Sequence, residues 1–182
     1  MSDRDFIDEV VRELAVHQDA VATHLGALSD NAWGDLLDPA NVEELVASGH
    51  FTANPAELEW SAREVAGHLR DSARVFTQRI AMLRTAHRDS DVPSLPDFVT
   101  TAEERVREYH DLPLPDLLEQ LELAQTELRT AAASVHEGEL DYEGVHEVYG
   151  PIRLGDLLAF LPQHQREHAA QLAAMSGNTQ VV

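Results

Sequence analysis

The sequence predicts an all-α fold, a four-helix bundle built by one domain over residues 1–182. Three observations carry that prediction. Four long segments repeat apolar residues at alternating spacings of three and four, the period of a helix packed on neighbours. Glycine and proline cluster between those segments, at 34–55, 93–96, 113–115 and 138–155. No segment alternates apolar and polar residues well enough to read as a strand, although Val145 to Val148 has extended character.

The first helix runs from about Asp3 to Leu28, with the stripe Ile7, Val10, Leu14, His17, Val21, His24 and Leu28. The second starts at Ser61, where Ser-Ala-Arg-Glu is a capping box: the Ser61 hydroxyl takes the Glu64 amide and the Glu64 carboxylate reaches back. Its stripe is Val65, His68/Leu69, Ser72, Phe76, Ile80 and Leu83, ending near His87. The third follows Leu-Pro-Leu-Pro-Asp, since proline at a helix start gives up no intrahelical bond. Its face is Leu117, Leu118, Leu121, Ala124, Leu128, Ala132 and Val135. The fourth starts near Leu154, continues through Leu157, Leu161, His164, His168, Gln171 and Met175, and stops at Gly177 and Asn178. Pro162 lies inside it, where a missing amide and a clash with the Leu158 carbonyl predict a kink or wide turn.

About 30 residues join the first two helices and about 27 the next two, far more than antiparallel neighbours need. Such links permit consecutive helices to run parallel. They also have room for one or two short helices, over Thr101 to His110 and Glu43 to Ala47.

Thirty-three acidic residues stand against 13 basic ones, all arginine, giving a net charge of -20. That balance excludes binding to a phosphate backbone, which needs clustered cations. Aromatic residues make up only 5%, too few for a base-stacking platform. With no cysteine there is no disulfide, thiolate metal site or thiol nucleophile. No apolar run is long enough to span a membrane, and the N-terminus lacks the order of a signal peptide. The expectation is an acidic, soluble, cytoplasmic protein that contacts neither nucleic acid nor membrane.

Ten histidines are present. His164 and His168 stand out because both fall on an apolar stripe, where an unbonded ring costs about 1–3 kcal/mol. Four residues apart, two imidazoles lie on one face at about 6 Å, suited to two adjacent positions of one metal ion. A third ligand is needed. His17, His24 and His68 are candidates, and His68 has the better surroundings, with Gly67 permitting close helix approach and Asp71 one turn on. His17 and His24 read as buried histidines bonded across the bundle, and His50, His87, His110 and His136 as loop or helix-end residues. His-Gln-Arg-Glu-His at 164–168 matches the zinc-peptidase pattern H-x-x-E-H, but no acidic residue follows to complete such a site, and Glu167 reads as solvated. Nucleotide-binding glycine loops and the G-x-S-x-G elbow are absent.

Two blocks carry a family resemblance. Glu-Trp-Ser-Ala-Arg-Glu-Val-Ala-Gly-His-Leu-Arg-Asp at 59–71 and Gly-Asp-Leu-Leu-Ala-Phe-Leu-Pro-Gln-His-Gln-Arg-Glu-His-Ala-Ala-Gln-Leu at 155–172 together resemble the DinB/YfiT-like superfamily. The first is similar to that family's helix start ending in H-L-x-D, the second to its closing H-x-x-x-H-x-x-Q motif. Ala169 and Ala170 stand where the family often has Arg and Gly. The resemblance implies an up-down-down-up bundle, often a homodimer, with a divalent ion, nickel or zinc, on three histidines. Carried over by position these are His68, His164 and His168. Characterised relatives of this kind use a low-molecular-weight thiol, as in mycothiol-dependent isomerases and bacillithiol-type S-transferases.

The leading expectation is therefore a divalent-metal enzyme acting on a small-molecule substrate, a transferase or isomerase using such a thiol, its open coordination positions facing a pocket at the bundle's end. His146 and Tyr149, before the fourth helix, are candidate pocket-rim residues. Metal-dependent hydrolysis, with Asp71 as base or orienting carboxylate, is the alternative. A non-catalytic stress or binding module stapled by its metal is the third.

Overall fold

The computed structural model describes residues 2–49, 55–88, 91–100 and 102–177; His50, Thr101 and Asn178 lie outside them. Six α-helices occur among the described residues: α1 Asp3–Gly26, α2 Pro39–Ala47, α3 Ala62–Arg88, α4 Glu103–Asp111, α5 Leu114–Ala133 and α6 Leu154–Met175. Short 3-10 turns at Ala32–Gly34 and Pro55–Glu59 flank the α2 region. Each long helix begins where local chemistry says it should. The Ser2 hydroxyl accepts from the Asp5 amide to cap α1. At Ser61 the expected box forms, the Ser61 amide donating to Glu64 Oε2 at 2.7 Å while the Glu64 amide reaches Ser61 Oγ at 3.4 Å.

The bundle helices are α1, α3, α5 and α6, with α3 packed along α5 and α1 along α6. Their directions follow from which halves share a core. One apolar layer joins Ile7 and Leu14 of α1 to Ile80 and Leu83 of α3, Leu128 and Ala132 of α5, and Leu154 and Leu161 of α6. The other joins Val21 and Leu25 to Val65 and Leu69, Leu117 and Leu121, and Leu172. The first half of α1 and of α6 thus lies level with the second half of α3 and of α5. The order is up-down-down-up, the parallel step between α3 and α5 being made by the long connection that carries α4. Between the layers runs a polar level. Gln18 Nε2 donates to the Gln125 carbonyl, and Gln125 Nε2 donates to Gln165 Oε1.

Three expectations are corrected. The α1 stripe continues from Leu14 to Gln18, Val21 and Leu25, leaving His17 and His24 on its half-buried flanks. A straight helix turns 3.6 residues per turn, so a strict three-four alternation drifts off the core face. His24 Nδ1 is buried without a hydrogen bond rather than bonded across the bundle. At Pro162, α6 runs on as one helix from Leu154 to Met175, which excludes the wide turn of the two expected outcomes. A three-stranded sheet also exists, absent from the expectation: β1 Ser94–Leu95 pairs parallel with β2 Glu143–His146, which forms a hairpin with β3 Gly150–Arg153. Only Val145 and His146 of the expected extended stretch are strand; Glu147 and Val148 turn back toward Gly150, whose φ of 74° suits glycine. The inward positions of β2 are Gly144 and His146, so apolar alternation gives no signal. Gly144 lies so close to the Leu83 side chain that a Cβ would come within 2.8 Å of it, which seats the hairpin on α3.

The contact that holds α4 against α3 is equally close. A Cβ on Gly67 would come 2.3 Å from Cγ of the buried Tyr109 ring, whose hydroxyl is tied to Asp71 Oδ2 at 3.0 Å. Gly67→Ala is expected to lower stability by about 1–3 kcal/mol through this overlap. In contrast, Gly26→Ala, whose Cβ meets nothing within 4 Å, is expected to leave it nearly unchanged; urea unfolding followed by circular dichroism reads both.

Candidate metal centre

The polar level between the two apolar layers holds a cluster of three imidazoles. His68 projects from the first half of α3, while His164 and His168, one turn apart, project from α6. One nitrogen of each ring lies within 4.8 Å of the others. His68 Nε2 and His164 Nε2 are 3.0 Å apart. His68 and His168 are almost fully buried, and His164 keeps one partly exposed edge. Burial first, and then the neighbouring rings, hold His68 and His164 well below the ordinary imidazole pKa, so both are neutral at pH 7.

Surrounding groups aim these rings. His168 Nδ1–H donates to Gln171 Oε1 at 3.0 Å, and Gln171 Nε2 donates to the Glu57 carbonyl at 2.8 Å. That chain leaves His168 Nε2 pointing into the cluster, with its lone pair inward. Ser72 Oγ stands 3.2 Å from His68 Nε2. The Trp60 ring, just before α3, lies 4.8 Å from the His68 ring and stacks parallel to His168. Three clustered ring nitrogens, with the His168 ring oriented by Gln171, are a donor set that fits a divalent transition ion.

A cavity of about 650 Å³ opens from the cluster along the seam between α3 and α6. It starts level with the join of the two cores and runs along that seam to the first residues of α6, Asp156 and Leu157. His68, Ser72, Phe76 and Arg79 form its α3 wall, and Leu157, Phe160 and His164 its α6 wall. The hairpin and residues 97–100 cover it.

Of the residues singled out in the sequence, the fold brings His68, His164 and His168 together and leaves His17 and His24 apart from them. His146 and Tyr149 both line the cavity, His146 deeply buried and Tyr149 exposed. Asp71 does not line it. Its carboxylate accepts from Arg70 Nε at 2.7 Å, Arg105 Nη1 at 2.9 Å and Tyr109 OH at 3.0 Å, a network that fastens α4 to α3. Burial and the adjacent Asp71 push the Tyr109 phenol well above its usual range, so it stays a donor. Glu167 is buried and accepts from Gln163 Nε2, which corrects its reading as a solvated residue.

Two cavity residues escape the sequence reading. Glu57, in the turn before α3, is buried with Oε2 3.5 Å from His168 Nε2. Its only signal is closeness in sequence to the Trp60 block. Arg79 continues the face marked by His68, Ser72 and Phe76, a signal present in the spacing.

Residues 42–172 match the family model of the DinB superfamily. The chain belongs to the DinB superfamily. The matched stretch contains all three clustered histidines. Over 150 residues, 82% of this chain and 80% of the relative, the sequence is 25% identical to a protein of Oceanobacillus iheyensis named "Putative metal-dependent hydrolase". Among solved structures, YfiT from Bacillus subtilis, described as "a probable metal-dependent hydrolase with an unusual four-helix bundle topology", superposes with a TM-score of 0.73. That likeness covers 100% of this chain and 91% of YfiT at 14% identity, so it is a likeness of fold.

The neutral rings make stability depend on pH. In the chelator-treated protein, His68 and His164 titrate below the unfolded imidazole value of 6.5. As pH falls beneath that value the unfolded chain takes up protons that the folded chain refuses, so stability falls from pH 7 toward pH 5. Replacing His164 by Gln is expected to flatten this part of the melting-temperature profile relative to the parent protein.

Proposed function

We propose that this chain is a metal-dependent hydrolase of small molecules, its divalent ion held by His68, His164 and His168. One observation carries the reading: three clustered imidazoles, two of which, His68 and His164, line a cavity, with a buried carboxylate, Glu57, beside them. Among the described residues three imidazoles converge with the Glu57 carboxylate 3.5 Å from one of them, and the opening of the cluster onto a cavity favours catalysis over a metal staple. When bound, the ion supplies Lewis acidity and acidifies a nucleophile that reaches it. Three imidazole donors suit zinc or nickel over magnesium or calcium.

The chain's own groups divide the remaining work. Gln171 fixes the His168 tautomer and turns Nε2 inward. Glu57 is the acceptor for a proton released at the cluster, and it replaces Asp71 in that role because Asp71 is spent on Arg70, Arg105 and Tyr109. Phe76 and Phe160, with ring centres 5.8 Å apart, exclude water from the wall beside His164. The names of the two relatives agree with hydrolysis. A second reading, transfer or isomerisation with an external low-molecular-weight thiol, is favoured by the absence of any cysteine to compete for the ion.

Protein purified without added metal is expected to carry a stoichiometric divalent ion by elemental analysis, and His68→Ala or His164→Ala to lose it. Gln171→Ala is expected to weaken metal affinity about 10–100-fold by freeing the His168 ring. Turnover separates the two chemistries. Ester or amide cleavage in the absence of any thiol, lowered about a hundredfold or more by Glu57→Gln at unchanged metal content, supports hydrolysis. Turnover only when a thiol and an electrophile are both present replaces it with transfer.

A further inference from the structure

One buried cation in the cavity has no part in the chemistry above. Arg79 lies eleven residues beyond His68, about 16 Å along the axis of α3. Side chains on a helix lean toward its N-terminus, and the Arg79 Cζ comes to 5.9 Å from the Phe76 ring, which itself lies 5.6 Å from the His164 ring. Arg79 is 9% exposed. Its Nη2 donates to the Pro96 carbonyl at 2.8 Å. Nε is buried without a partner, and Nη1 makes no hydrogen bond among the described residues. Burial draws its pKa below the ordinary guanidinium value, offset in part by the charge of Asp97.

His146 faces this cation. Its Nδ1 accepts from the backbone amides of Val148 at 3.1 Å and Tyr149 at 3.4 Å. Those two partners assign the proton of the neutral ring to Nε2. Burial and then Arg79 hold the pKa of His146 down, so the ring is neutral at pH 7. Nε2 meets Arg79 Nη2 at 2.9 Å, so donors face both ring nitrogens while a neutral ring can accept at only one of them. The carboxylate oxygen recorded near Nε2, Asp97 Oδ1, stands 3.9 Å away, beyond hydrogen-bond reach. Among the described residues Arg79 Nε and Nη1 thus lack an acceptor, and Arg79 and His146 both line the cavity.

We propose that Arg79 and His146 form a carboxylate-binding subsite, and that the substrate is an apolar acid whose carboxylate rests there while its reacting group reaches the three histidines. The proposal rests on the cavity being the place of reaction. A planar carboxylate matches the guanidinium fork. Phe76, Phe160 and Leu157 supply the apolar wall for the body of the molecule. Asp97, Asp156 and Glu57 also line the cavity and disfavour a second negative charge, which selects a monoacid.

The test compares 3-phenylpropanoate with 3-phenylpropanamide as probes by calorimetry, on zinc-supplemented full-length protein and its Arg79→Gln and His164→Ala variants. The acid is expected to bind about tenfold or more tightly than the amide. His164→Ala should retain that preference and Arg79→Gln should abolish it. In ¹⁵N-labelled parent protein the Arg79 Nε–H resonance should move on adding the acid and stay still with the amide, a readout that needs no variant to fold. Equal affinity for the two probes, no binding of the acid, or an unmoved Arg79 resonance overturns the subsite. So does a preference that survives Arg79→Gln or disappears in His164→Ala, because the carboxylate then sits on the ion. A preference that follows Arg79 in protein that binds no metal keeps the subsite and sinks the metal reading instead.

Discussion

Burying three imidazoles at one level of a helical bundle is the constraint around which this structure is arranged. An apolar interior gives a neutral ring nothing to bond, so each ring needs either a partner inside the protein or a ligand shared with the others. The bundle meets that need by separating its core into two apolar layers and concentrating polar side chains where they meet. Gln18, Gln125 and Gln165 satisfy one another on one side of this level, while the histidines and Gln171 occupy the other. The three imidazoles therefore stand on two long helices, and the orientation of His168 is set by Gln171, itself held by the Glu57 carbonyl in the turn before α3.

The up-down-down-up order is what opens a cavity beside that level. The parallel step from α3 to α5 needs a long link, and the link carries α4, β1 and the residues 97–100 that cover the α3–α6 seam. Tyr109 on Gly67 and the Asp71 network fix α4 to the outer side of α3. Asp71, one turn from a clustered histidine, thus serves architecture, and the carboxylate next to the cluster comes from the turn before α3 instead.

The cavity is chemically polarised along α3. His68 stands at one end of the stripe and Arg79 at the other, with Ser72 and Phe76 between them. The hairpin adds His146 and Tyr149 at the cationic end. A small sheet on an otherwise helical protein thereby supplies part of the cavity wall, and Gly144 lets it approach α3 closely enough to do so.

Features set by neighbours in sequence were readable directly. The four long helices follow from apolar period, the start of α3 from Ser61 and Glu64, and the facing pair His164 and His168 from a spacing of one turn. His68 as their partner was legible through two blocks that only a family resemblance joined. Tertiary structure alone decided what lies across the seam. Glu57 carries no local mark of its place, and the spacing that puts Arg79 on the His68 face does not say what that face meets, since it depends on which helices adjoin and on what covers them. The hairpin was hidden because its inward residues are glycine and histidine, and the α1 register because a straight helix drifts from a strict alternation. Periodicity records which face of an element is apolar; which buried polar groups meet is settled only when the faces come together.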